Sequence, residues 1–132
     1  MSEKDVTRTL SRLLKPLHAV RIEDGLGKAG VPDINISTGW IEAKNLKSYP
    51  VRETTPVRLK HPYTLEQKIW AEKRTKAGGK VWLVVKVASD WYIFLPPNSY
   101  LVGELTKAEM REKAVTWFHY EPPQEELLKI FA

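Results

Sequence analysis

The apolar positions in the first third of the chain predict one helix and three strands. Over residues 2–17 they recur every three or four positions, which is typical of a helix with one buried face, and Ser2 can cap its N-terminus. Short runs rich in β-branched residues predict strands over 18–22, 32–37 and 40–44, and the last two form a hairpin. The chain therefore opens with a helix and then builds part of a sheet.

A second helix is predicted after a long connection. Thr64 can cap this helix together with Gln67, and Gly78 and Gly79 end it. Its predicted buried stripe consists of Leu65, Ile69 and Trp70. The preceding connection, residues 45–63, holds three prolines and shows little periodicity. We expect a long loop there, ordered or mobile, of the kind that often carries function.

The rest of the chain adds strands and short helices. Residues 81–87 are almost continuously apolar, which is typical of a central strand covered on both faces, and a further strand follows over 91–95. The remaining predicted elements are a helix over 106–113, a strand over 115–120 and a helical stretch over 123–130. The core order α-β-β-β-α-β predicts an α/β fold of three layers with a mixed sheet, in one domain spanning residues 1–132.

The composition is that of a globular protein without thiol chemistry. Hydrophobic residues make up 42% of the 132 positions, which suffices for one core. No apolar run approaches the roughly 18 residues that a membrane span needs. The sequence contains no cysteine, which excludes disulfides, thiolate zinc sites and a cysteine nucleophile. Because no basic and apolar leader follows Met1, we expect a cytoplasmic protein with no membrane partner.

Positive charge is concentrated in the middle of the chain. The whole sequence carries +5, but residues 45–80 alone hold nine basic and three acidic residues, a net charge of +6. Such a block predicts contact with nucleic acid, and a solvated charged face is the other interpretation. The residues predicted to contact phosphates are Lys28, Lys47, Arg52, Arg58, Lys60 and Lys68.

A glycine-rich turn over residues 25–30 matches the G-x-G-x-x-G pattern of dinucleotide-binding proteins. In those proteins the glycines open a helix whose N-terminus receives the pyrophosphate, but here Pro32 and Asp33 lead into another strand. We therefore predict no nucleotide cofactor. The turn is interpreted either as a flexible connection or as a loop that lets Lys28 approach a phosphate.

Two carboxylates and a lysine converge on the predicted hairpin. Asp33 begins its first strand and Glu42 lies in the second, while Lys44 follows Glu42 by two positions and so shares its face. Carboxylate and carbonyl oxygens are the ligands that Mg²⁺ prefers. Asp33, Glu42 and the backbone carbonyl of Ala43 are therefore the predicted metal ligands. A metal held there would polarise a phosphoryl oxygen and lower the pKa of its bound water.

Lys44 has two predicted roles at such a site. Its ammonium group can position or activate the attacking water, or it can stabilise the charge that builds on the pentacovalent phosphorus. A purely structural interpretation makes Pro32-Asp33 a turn dipeptide and Glu42 with Lys44 an exposed charge pair. The apolar neighbours on both strands favour the catalytic interpretation, because charges within core strands need a reason to be there.

The hairpin resembles the signature of the PD-(D/E)XK nuclease superfamily, which is Pro-Asp, a hairpin and then Glu-X-Lys. The matching residues are Pro32-Asp33 and Glu42-Ala43-Lys44. The segment 64–70, with two glycines before the apolar strand 81–87, is similar to the VRR-NUC group of small, Holliday junction resolvase-like nucleases of phages, bacteria and eukaryotic repair enzymes. The connection 45–63 is longer than is usual in small members.

The resemblance implies a restriction-endonuclease-like fold, which is a three-layer α/β/α arrangement around a mixed sheet. Its core would cover about residues 3–95, with a C-terminal extension over about 96–132. The resemblance also implies that Asp33 and Glu42 bind the metal and that Lys44 assists the water.

Two further residues enter the site through this resemblance. Gln67 matches the helical glutamine of the group, and a capping role is its alternative. Helix 1 of these nucleases often supplies one more acidic residue. Glu3 fits that place best, with Asp5 and Glu23 as competitors. An ordinary carboxylate near a helix N-terminus is the alternative for Glu3.

The predicted function is a Mg²⁺- or Mn²⁺-dependent DNA endonuclease. Its expected substrate is branched DNA, such as Holliday junctions or flaps in repair and recombination, and the two cuts on a junction predict a homodimer. We expect it at the nucleoid of a bacterial or phage-infected cell. The alternatives are a non-catalytic nucleic-acid-binding or assembly protein that keeps the fold, and a nuclease acting on RNA.

Overall fold

The computed structural model of the protein describes residues 1–22 and 29–132. The glycine-rich turn up to and including Lys28 lies outside these residues, as does Glu23. The described strands are β1 Val20–Arg21, β2 Ile34–Ile36, β3 Gly39–Leu46, β4 Val81–Val87, β5 Asp90–Phe94 and β6 Thr116–His119. The described helices are α1 Glu3–Leu13, α2 Leu65–Lys76, α3 Lys107–Lys113 and α4 Gln124–Phe131.

The six strands form one mixed sheet in the order β1-β2-β3-β4-β5-β6. Neighbouring strands are antiparallel except β3 and β4, which run parallel and pair over the length of both strands. A parallel pair needs a crossover, and here the crossover consists of residues 47–63 and α2. The protein is thus an α/β protein with a mixed sheet, as the sequence predicts.

Helices α1 and α4 cover the first face of the sheet. The buried residues of α1 are Val6, Leu10 and Leu13, which follow the predicted helical spacing. Ser2 caps the helix and forms a capping box with Asp5. At the other end of this core the ring of Phe131 packs edge-on against Trp82, with ring centroids 4.9 Å apart. Within the described ranges no helix is long and apolar enough to cross a membrane.

The second face is covered by α2, α3 and residues 47–63, which we call the roof segment. Val57, Leu59 and Tyr63 of the roof segment are buried in the core beneath it, together with Met110 of α3. The backbone N–H of Val57 donates to the carbonyl of Leu105 at 2.8 Å. The loop that the sequence left either ordered or mobile is therefore held against the sheet.

The predicted buried stripe of α2 was wrong for two of its three members. Leu65 is 71% exposed and Ile69 is 44% exposed, whereas Trp70 is half-buried. Helix α2 instead turns Trp70 and Ala71 inward, and Trp70 meets Trp40 of β3 edge-on at 5.2 Å. Its inner face also carries the polar Gln67, which the hydrophobic pattern could not assign to the inside, while the exposed Arg74 lies over the ring of Trp70.

Candidate active site

Asp33 lies directly before β2, at the end of the hairpin where β3 continues beyond its partner. The register of β2 and β3, continued by one residue, sets Asp33 opposite Glu42. Oδ2 of Asp33 accepts a hydrogen bond from the backbone N–H of Ala43 at 2.8 Å. This bond fixes the carboxylate over β3 at the place where the ladder between the two strands ends.

Glu42 and Lys44 point to the same face of β3, as the two-residue alternation predicts. Both are almost fully buried, with 3% and 4% of their surfaces exposed. Nζ of Lys44 lies 3.5 Å from Oε2 of Glu42. Burying charged groups is costly unless they are paired or bind a ligand, so this pair is not the exposed charge pair of the structural interpretation.

The side-chain amide of Gln67 in α2 has two roles. Its oxygen caps the helix, and its nitrogen contacts the candidate site. Its Oε1 accepts from the backbone N–H of Thr64 at 2.9 Å, which completes the predicted capping box. Its Nε2 donates to Oε2 of Glu42 at 3.1 Å. The two sequence interpretations of Gln67 are therefore compatible.

One oxygen of Glu42 carries both contacts, and the other has none. Oε2 receives Gln67 and Lys44, while Oε1 is buried without a hydrogen-bond partner among the described residues. Burial raises the pKa of Glu42 to about 9, and the neighbouring carboxylate of Asp33 contributes in the same direction. A buried, unpartnered carboxylate oxygen beside a second carboxylate is a place that favours a cation.

Glu3, at the start of α1, is the helical acid that approaches this cluster. Burial raises its pKa, the neighbouring Lys44 and His61 oppose the shift, and Asp33 adds a smaller upward contribution. Its Oε1 is buried and also has no partner among the described residues. The competitor Asp5 is engaged elsewhere, because its Oδ2 accepts from the N–H of Ser2 at 2.8 Å.

The oxygen atoms present fit a magnesium-like ion. Mg²⁺ keeps several waters and binds proteins through one or two carboxylates. Asp33 and Glu42 supply these, and the strand register sets Ala43 opposite Pro32, which has no N–H to offer the Ala43 carbonyl. Across the described ranges no three acidic or histidine side chains come together as a ready-made metal cluster. The fit is therefore to an ion that keeps part of its water shell.

Tyr63, at the end of the roof segment, is a site neighbour that the sequence interpretation missed. Burial raises the pKa of its phenol, and the carboxyl of Glu42 raises it further. The available signal was the alternation of Val57 and Leu59 with exposed residues, which marks an extended segment lying on a core. His61, two residues earlier, is exposed at the rim of the site.

The predicted phosphate contacts fall into two groups. Four of them, Lys47, Arg52, Arg58 and Lys60, are exposed along the roof segment, and Lys68 is half-exposed on α2. The ion pairs of the described residues include none of these five cations. Their charges are thus directed to solvent, whereas Asp33, Glu42, Lys44, Gln67 and Glu3 converge below the roof segment.

Comparison with known proteins adds no relative to this description. No protein-family model, no curated protein and no solved structure matches the chain. The chemistry of the site is therefore inferred from its own residues.

Proposed function

We propose that this protein is a Mg²⁺- or Mn²⁺-dependent DNA endonuclease with a restriction-endonuclease-like fold of the PD-(D/E)XK type. The proposal rests on the different surroundings of the two carboxyl oxygens of Glu42. One of its oxygens is held by Lys44 and Gln67, and the other is buried next to the carboxylate of Asp33 and receives no hydrogen bond from a donor group of the described residues. This arrangement supports a cation on one side of the carboxylate and an ammonium group on the other.

In this proposal Asp33, Glu42 and the carbonyl of Ala43 hold the divalent ion. Such an ion polarises a phosphoryl oxygen and lowers the pKa of bound water. Glu42 holds its proton at neutral pH because of its raised pKa, so it must release that proton when it becomes a ligand. Glu3 completes the acidic side of the site.

Lys44 contributes its charge and its hydrogen-bond donors. The ammonium group lies 3.5 Å from Oε2 of Glu42 and carries three hydrogen-bond donors. These donors can orient a water molecule for in-line attack or contact a phosphoryl oxygen as negative charge develops on it. Because Lys44 is almost fully buried, its charge is weakly screened and acts strongly at short range.

The exposed cations of the roof segment support a polyanionic substrate. Lys47, Arg52, Arg58 and Lys60 have solvent-directed charges on the segment that covers the site. Contacts of this kind bind phosphates without reading the base sequence. We propose branched DNA as the preferred substrate and two copies of the chain at a junction, since two cuts require two sites.

The proposal is tested with a labelled panel of linear duplex, single-stranded, flap and four-way junction DNA, with an RNA duplex as competitor. Each substrate is incubated with Mn²⁺, with Mg²⁺ and with EDTA. The variants are Asp33→Asn and Lys44→Ala, and the matched controls are Glu126→Gln and Lys129→Ala, which alter exposed residues of α4. We expect metal-dependent cleavage of DNA that both site variants abolish and both controls retain.

Binding is measured on the same panel by fluorescence anisotropy. Asp33→Asn should leave DNA affinity within about twofold, because it removes a metal ligand and no phosphate contact. Tight binding by the wild-type chain without cleavage under any metal condition would favour the non-catalytic nucleic-acid-binding protein. Preferential cleavage of the RNA competitor would favour a nuclease acting on RNA.

A further inference from the structure

A second polar cluster lies beside the candidate active site and plays no part in the proposed reaction. Its centre is Asp90, the first residue of β5, whose side chain is only 5% exposed. Its carboxylate accepts hydrogen bonds from three separate parts of the chain. The donors are the phenol of Tyr49, Nη2 of Arg111 at 3.3 Å and Nδ1 of His119 at 2.6 Å.

Tyr49 is the member of this cluster that belongs to the roof segment. Because its phenolic proton goes to Asp90, the hydroxyl of Tyr92 donates to the Tyr49 oxygen at 2.6 Å. The ammonium group of Lys107 lies 4.4 Å from the centre of the Tyr49 ring. The start of the roof segment is thus fixed by two hydrogen bonds and a cation–π contact.

The cluster shares a sheet face with Glu42 and Lys44. Lys44 pairs with Val85, and Val85 pairs with Tyr92, so Lys44 and Tyr92 occupy one row across three strands. Asp90 lies in the next row, opposite Val87. With strands about 4.8 Å apart, Tyr92 is only about 10 Å from Lys44.

We propose that Asp90 is a positioning residue that fixes the roof segment over the candidate active site. The chain leaves β3 at Leu46, two residues after Lys44, and Tyr49 is pinned to β5 by Asp90. From there the segment returns across the sheet face and reaches Glu42 through Tyr63. The effect on substrate rests on the proposed function, whereas the effect on the roof segment does not.

The roof segment is held in two places, at Tyr49 and at its C-terminal end, by different combinations of contacts. Its far end is held by burial of Val57, Leu59 and Tyr63 in a shared core. Residues 51–55, between these two places, are exposed, and on their N-terminal side Tyr49 packs its ring against the same core and adds the polar tether through its hydroxyl. Releasing Tyr49 should therefore loosen the first half of the segment, which carries Lys47 and Arg52, without opening the core.

The experiment compares Tyr49→Phe with Tyr120→Phe in the full chain. Tyr49→Phe keeps the ring and its contact with Lys107 and removes only the hydroxyl. Tyr120→Phe is the same chemical change at an exposed ring outside the Asp90 hydrogen bonds. Asp90→Asn is included as a second variant with its folding checked by thermal unfolding. The rate of trypsin cleavage is measured by mass spectrometry after Lys47 and Arg52 of the roof segment and after Lys4 and Arg8 of α1.

We expect Tyr49→Phe to speed cleavage after Lys47 and Arg52 about tenfold, because a charge-assisted hydrogen bond is lost, and to leave cleavage in α1 unchanged. Tyr120→Phe should change neither rate. Unchanged cleavage after Lys47 and Arg52 would overturn the proposal, as would an equal increase in α1, which marks a general loss of stability.

Cleavage kinetics test the consequence for substrate. Tyr49→Phe should raise KM about three- to tenfold while kcat stays within about twofold, since the roof segment presents phosphate contacts and no reacting group. A fall in kcat with unchanged KM would overturn the positioning role. If the wild-type chain cuts no DNA, the proposed function fails alone, and the proteolysis rates still decide whether Asp90 holds the roof segment.

Discussion

Gln67 donates a hydrogen bond from Nε2 to Oε2 of Glu42 while its Oε1 caps the helix on which it resides. The length and start of α2 are therefore coupled to the orientation of a buried carboxylate. If the helix began one residue earlier or later, the amide would rotate by about 100° around the helix axis and lose Glu42. The capping box thus determines the geometry of the site as well as the end of the helix.

The two roles of Gln67 can be separated with a neighbouring variant. Thr64→Ala removes the side-chain acceptor of the cap and should cost about 1 kcal/mol of stability while cleavage continues. Gln67→Ala should cost a similar amount and also lower kcat/KM about tenfold, because Glu42 loses its donor. Urea unfolding and cleavage rates are the measurements. Equal cleavage by both variants would contradict the coupling.

The raised pKa of Glu42 makes the stability of the metal-free protein depend on pH. The unfolded carboxyl titrates near 4.5 and the folded one near 9, so between these values the folded state holds the extra proton. Stability should be greatest below about pH 4.5 with respect to this group and fall as pH rises toward 9. In EDTA at pH 8, Glu42→Gln should be more stable than the wild type by about 2 kcal/mol or more.

The control for this comparison is Glu126→Gln, which removes an exposed carboxylate that contributes little. Unfolding in urea at pH 5 and pH 8 measures both variants. The stabilisation by Glu42→Gln should shrink greatly at pH 5, because the carboxyl of the unfolded chain is then close to its own pKa of 4.5 and folding takes up only part of a proton. An equal effect at the two pH values would show that the proton of Glu42 is not the cause.

Divalent ions should stabilise the folded protein through the same carboxylates. At a free Mn²⁺ concentration one hundredfold above its Kd, binding contributes about 2.7 kcal/mol and raises Tm by several degrees. Asp33→Asn should remove most of this shift, and Glu125→Gln, an exposed change on α4, should keep it. Thermal unfolding with MnCl₂ and with EDTA gives the result. A full shift in Asp33→Asn would place the ion elsewhere.

The roof-segment cations should act on affinity and its salt dependence. Lys60→Ala should lower the slope of log Kd against log salt concentration by about 0.9, the value for one lost phosphate contact on duplex DNA. The loss should be similar for all sequences, because a phosphate contact carries no base information. Anisotropy titrations between low and moderate salt test this, with Lys129→Ala as control. An unchanged slope would show that Lys60 does not contact a DNA phosphate.

The convergence of Asp33, Glu42 and Lys44 could be predicted from sequence because it depends on local rules. A hairpin with a short turn fixes which residues of its two strands face each other, and alternation fixes the side of each strand. The predicted strands and helices of the C-terminal part were confirmed for a similar reason, since Thr106 and the runs around β5 and β6 carry strong local signals. No comparable rule assigns a metal or a substrate.

The parts that could not be predicted depend on contacts between distant residues. Asp90 lies directly before the strand predicted over 91–95, and no local pattern marks it, because its partners Tyr49, Arg111 and His119 lie 41, 21 and 29 positions away. The inner face of α2 was misassigned because Gln67 turns inward for a hydrogen bond and because Trp70 packs between Trp40 and the exposed guanidinium of Arg74. Hydrophobic periodicity does not reveal hydrogen bonds or cation–π contacts between distant residues.

The parallel strands β3 and β4 are joined by a single crossover, and part of that crossover can be replaced by another segment without changing the sheet. Register within the sheet is set by residues before position 47 and after position 80, so the stretch between them can vary in length without shifting a strand. That stretch includes the roof segment, which covers the sheet face of Lys44, and α2, whose Gln67 holds Glu42. Transplanting a different roof segment while keeping α2 would therefore change which polymers gain entry while the reacting groups of β3 keep their places.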